Sequence, residues 1–114
     1  MKKSLFGLSL LVLIGIIIEF FFAGMGVFHA ASFQIHQITG VIILAASLLL
    51  LIIAFIGKVG RGISALLFVL LFIQPLLLQI HQPFLQALHV VNALAIAVTA
   101  VYLLRKNQPL SNRG

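Results

Sequence analysis

Polar residues along this chain are confined to short gaps, and between the gaps run four long apolar stretches, at residues 5–28, 35–56, 63–80 and 84–104. As a helix, each stretch is long enough to cross a hydrocarbon core of about 30 Å. None shows the alternation of polar and apolar positions that a membrane β-barrel requires. Isolated strands would leave backbone groups unpaired in lipid. The pattern predicts an all-α integral membrane protein, an up-down-up-down four-helix bundle over residues 1–106. Residues 107–114 follow as a short polar cytoplasmic tail containing Pro109. The first stretch imitates a secretory signal, but it is long, carries Glu19, and has Phe28 two positions before the possible cleavage site at Ala30. It reads as a retained helix. The gap at 57–62 carries Gly57, Gly60 and Gly62 and is the clearest loop. Gln74-Pro75 should bend the third helix and free a backbone carbonyl.

Composition supports lipid as the solvent. The chain is 63% hydrophobic, with one acidic residue and a mean hydropathy of +1.31. So few polar side chains could not cover a soluble domain of 114 residues. The net charge of +6 comes from Lys2, Lys3, Lys58, Arg61, Arg105, Lys106 and Arg113, all at the termini or in the 57–62 gap. That distribution marks topology and not a nucleic-acid surface. By the positive-inside rule both termini are cytoplasmic, in a multi-pass protein of the cell membrane. The 29–34 and 81–83 connections, which lack Lys and Arg, then face outward. With no cysteine, disulfides, thiolate metal sites and covalent haem attachment are excluded. Walker A, nucleophile-elbow, H-E-x-x-H and dinucleotide motifs are absent.

The groups that carry chemistry gather in the outward half. His36 lies near the start of the second stretch and His89 near the start of the fourth, on helices that should face each other across a diagonal. Neutral imidazoles so placed suit the two axial positions of a haem. Gly40, one turn beyond His36, would make room for a flat macrocycle, and Asn92, close after His89, could hydrogen-bond a ligand or orient an imidazole. The plainer alternative is that these histidines bond to Gln, Asn or backbone within the bundle and so join helices. His29 and His81 fall at the outer helix ends, as interfacial residues or as further ligands for zinc, copper or iron together with Glu19, His36 and His89. Glu19 should point inward near the level of His36, protonated or paired, because a carboxylate facing lipid is costly. It is a candidate ligand, proton carrier or histidine orienter. A haem would find no Lys or Arg for its propionates at this face.

The motifs Ala23-Gly24-Met25-Gly26-Val27-Phe28, His36 to Gly40, and Leu88-His89-Val90-Val91-Asn92-Ala93 resemble those of small four-helix bacterial membrane families of unknown function. That resemblance covers nearly the whole chain and implies architecture. The layout also resembles the four-helix membrane b-type cytochromes, including the bacterial cytochrome b-type ubiquinone and superoxide oxidoreductases. It implies His36 and His89 as axial ligands of one haem b, with electron transfer near the outer face and quinone as a possible partner. The second histidine pair of the two-haem members has no counterpart here. The competing expectations are an accessory or structural subunit without cofactor, in a homo-oligomer or larger membrane complex, and a non-haem metal site.

Overall fold

The computed structural model describes residues 2–109. It comprises four helices, α1 Lys2–Val27, α2 Gln34–Gly57, α3 Arg61–Gln79 and α4 Pro83–Lys106, and no strand among the described residues. Each is long and apolar enough to cross a membrane. Large hydrophobic side chains lie exposed on every helix, Leu11, Phe21, Val41, Ile56, Phe72, Val90 and Leu94 among them. Helices apolar on all sides belong in lipid. The fold is a four-helix membrane bundle. Each helix contacts its two sequence neighbours, with α4 closing against α1, and the diagonal pairs α1/α3 and α2/α4 make no close backbone approach.

The connections are tighter than the glycine pattern implied. α2 ends in a Schellman turn in which Lys58 adopts left-handed backbone at φ +57°, the Val59 N–H bonds to Ala54 O at 3.1 Å, and the Lys58 N–H bonds to Phe55 O at 3.4 Å. Gly60, at φ +63°, directly precedes α3. Gly57 closes α2 and Arg61 opens α3, with Gly62 already helical, so only residues 58–60 connect them. α1 ends the same way. His29 holds the left-handed position at φ +60°, and the Ala30 N–H reaches Met25 O at 2.7 Å. A carbonyl-rich turn therefore sets the backbone of His29, which no sequence signal suggested.

The tightly packed core runs from one end of the bundle to just past its middle. Leu5, Val12 and Ile16 of α1 meet Ile43, Leu50 and Ala54 of α2, Leu67 of α3, and Ile96, Ala100 and Leu103 of α4. All but Ile16 and Ile43, which lie just past the middle of α1 and α2, are toward the end that carries the basic residues. Beyond Ile16 and Ile43, Gly26 alone among the described residues is buried, beneath the ring of Phe33. The basic end is closed by Asn107, 1% exposed, whose amide Nδ2 donates to Ser9 Oγ at 2.9 Å. Ser9 in turn donates to Leu5 O at 2.6 Å. Asn107, expected to begin the tail, is thus part of the bundle; residues 110–114 of that tail lie outside the described residues.

Candidate functional site

The loosely packed half holds two polar clusters, one in each helical hairpin. In the first, Glu19 Oε2 of α1 lies 2.9 Å from His36 Nδ1 of α2. This is ion-pair distance, with the ring N–H turned off the hydrogen-bond direction. The two side chains are mostly covered, at 16% and 22% exposed respectively. Gly40 explains how the carboxyl fits: a Cβ there would stand 3.2 Å from Glu19 Oε2, closer than an unstrained neighbour allows. The missing side chain of Gly40 thus makes room for Glu19, one turn along the face that carries His36. Glu19 Oε1 is buried without a hydrogen-bond partner among the described residues. His36 Nε2 bonds to no described group and is not enclosed. Phe33 packs its edge toward the imidazole, with ring centroids 6.4 Å apart, and rests on Gly26.

In the second cluster His89 of α4 is held by Gln74 of α3. His89 Nδ1 lies 2.8 Å from Gln74 O, an acceptor, so Nδ1 carries the proton. The Gln74 amide donates to His89 O at 3.0 Å and approaches His89 Nε2 at 3.2 Å. Asn92 Nδ2 donates to Leu70 O at 2.9 Å and to Gln74 Oε1 at 2.6 Å. These contacts span the turn before Pro75, where the helix cannot form its full backbone ladder.

Of the residues singled out in the sequence, Glu19, His36 and Gly40 therefore meet, and His89 and Asn92 meet on Gln74. His36 and His89 stand on the diagonal helices with different partners. His36 is the third residue of α2, so it sits in the first turn and not a full turn inside. His29 and His81 are exposed at the helix ends. Among the described residues no three His, Asp or Glu side chains converge as metal ligands would. Gln74 is the residue whose part was missed. Its position before Pro75 marked a bend, but the proline gave no indication that the glutamine would bond to α4.

Fold and site together define a small four-span membrane bundle with an acid–histidine pair in one hairpin and an amide–histidine cluster in the other. The chain belongs to a family of unknown function (DUF6220), which matches residues 19–80, a span that takes in Glu19, His36, Gly40 and Gln74. Neither the curated proteins nor the solved structures include a match to it.

Proposed function

We propose that the Glu19–His36 pair is a proton-binding site, loaded from the end of the bundle that bears the 28–33 and 80–82 connections. On this reading the protein is a non-enzymatic membrane subunit that responds to protonation. The observation carrying it is the 2.9 Å pairing of the chain's only acid with an imidazole, in the space left by Gly40. Ionisable groups at such depth are functional candidates by default. A proton arriving at the accessible Nε2 makes an imidazolium, whose Nδ1–H faces Oε2. A small rotation of the ring aligns that N–H, and transfer to Oε2 leaves a neutral imidazole protonated at Nε2 beside a carboxylic acid. Charge and protons balance at every stage. Beyond Glu19 lie Ile16 and Ile43 of the apolar core, which offer the proton no further acceptor. The positive-inside rule assigns this end to the outer face, with both termini cytoplasmic.

The test uses protein with 15N-labelled histidines in lipid nanodiscs. The His36 ring signals and the Glu19 carboxyl infrared band should titrate as one coupled pair. Glu19→Gln should alter the His36 titration and leave that of His81 unchanged. A His36 titration indifferent to Glu19→Gln overturns the proposal.

A second reading follows from the partners of the two Nδ1 atoms. Glu19 Oε2 on His36 and Gln74 O on His89 are the kind of acceptor that orients a metal-ligating imidazole and leaves Nε2 as the donor atom. On this reading His36 and His89 would hold one haem b, which when bound supplies a one-electron redox centre. His89 would have to release the Gln74 amide, and Glu19 already fills the space beside Gly40. A Soret band in protein expressed with ample haem, lost in both His36→Ala and His89→Ala, supports this reading, and a colourless protein removes it.

A further inference from the structure

A groove of about 290 Å³ runs between α3 and α4, lined by Ile73, Leu77, Leu88, Val91, Ala95 and Asn92. It is apolar except for Asn92. The amide of Asn92 gives both of its N–H groups away, to Leu70 O and Gln74 Oε1. Both partners are acceptors, so nitrogen must occupy that side of the amide and the oxygen must occupy the other. Asn92 Oδ1 accepts no hydrogen bond from the described residues and is not enclosed by them. The apolar wall of the groove therefore includes one residue whose side chain is fixed and has an acceptor unused.

Depth decides what can reach it. Asn92 lies nine residues beyond Pro83, the first residue of α4, which places it about 14 Å along the helix. Phospholipid headgroups stay at the interface, and water is scarce at that depth. A donor for Oδ1 must come from a molecule with enough apolar surface to remain in the hydrocarbon. Size narrows the class further: an apolar cavity of about 150 Å³ holds benzene, so roughly twice that volume takes a substituted ring with part of its tail. We infer that this groove is a binding site for a lipid-soluble phenol or quinol, whose hydroxyl donates to Asn92 Oδ1 while its ring lies on Ile73, Leu88 and Ala95. The site is separate from the Glu19–His36 pair, which lies in the other hairpin.

The experiment titrates the full chain in nanodiscs with 4-hexylphenol, and separately with its methyl ether 4-hexylanisole, following the Asn92 side-chain amide signals by NMR. The phenol should shift them saturably. The ether, which has no donor, should bind about tenfold more weakly, the equivalent of one net hydrogen bond of about 1.4 kcal/mol. Ala95→Phe fills the groove without touching the Asn92 bonds and should abolish the shift, with helical circular dichroism unchanged. Val91→Trp, at the open rim, serves the same purpose if Ala95→Phe does not fold. Equal affinity for phenol and ether, a shift that never saturates, or binding that survives in every folded variant overturns the inference. So does a wild-type dimer that Ala95→Phe dissociates, because a second copy would then fill the groove.

Discussion

At the scale of single residues, Glu19 is the most constrained side chain. Replacing it with Gln keeps the shape and removes only the charge, so Glu19→Gln should fold with a thermal midpoint close to that of the wild type. Glu19→Lys sets an ammonium group against the His36 imidazole in a covered site and should cost about 3 kcal/mol or more. Thermal unfolding in one detergent separates the two outcomes, and equal midpoints would show that Glu19 does not pair with His36. Lys58 offers a test of opposite sign. Its left-handed backbone at φ +57° strains a side chain, and glycine accepts that conformation freely. Lys58→Gly should stabilise the fold by about 1 kcal/mol, seen as a higher midpoint in the same assay.

At the scale of elements, the α3–α4 hairpin depends on Gln74. Its side chain makes three of the contacts that join His89 and Asn92 to α3. Interhelical hydrogen bonds in membranes average about 0.6 kcal/mol each. Gln74→Leu should therefore cost about 2 kcal/mol and Asn92→Ala about 1 kcal/mol. If denaturant titration finds Gln74→Leu the milder change, the cluster does not hold the hairpin. The four spans were legible in the sequence, because continuous apolar length is all that a membrane helix needs to declare itself. The level of Glu19 against His36 was legible too, since residue count sets depth. What the sequence left undetermined was helix rotation. α1 and α4 are apolar all round, so no stripe marks an inward face or says which polar groups meet. That is why Gly40 suggested space for a macrocycle, when its space is used by Glu19. The 57–62 loop misled for a related reason: Gly57 and Gly62 are helical, and the left-handed positions fall to Lys58 and Gly60 there and to His29 after α1.

At the scale of the whole molecule, the start of α1, the end of α4 and the 58–60 turn lie at one end and the other two connections at the opposite end, whichever way the bundle is inserted. Cysteines introduced at Ser4 and Ser32, both exposed, should label from opposite sides of intact vesicles. By the charge distribution Ser32 is expected to react from outside. Labelling of both from one side would contradict the four-span arrangement.

The one-sided placement of that core has a consequence for how the protein senses its surroundings. Close-packed side chains resist deformation, and here they fill the bundle from the basic end to just past its middle. Around Glu19, His36, Gln74 and His89 the helices are held by a few polar contacts and otherwise by acyl chains. Bilayer thickness and lateral pressure therefore act on the polar clusters before they act on the fold. Shortening the lipid acyl chains should shift the His36 ring resonances while amide exchange at Leu50 and Leu103 stays slow. The bundle is in this sense anchored at one end and compliant at the other, with its ionisable pair in the compliant end.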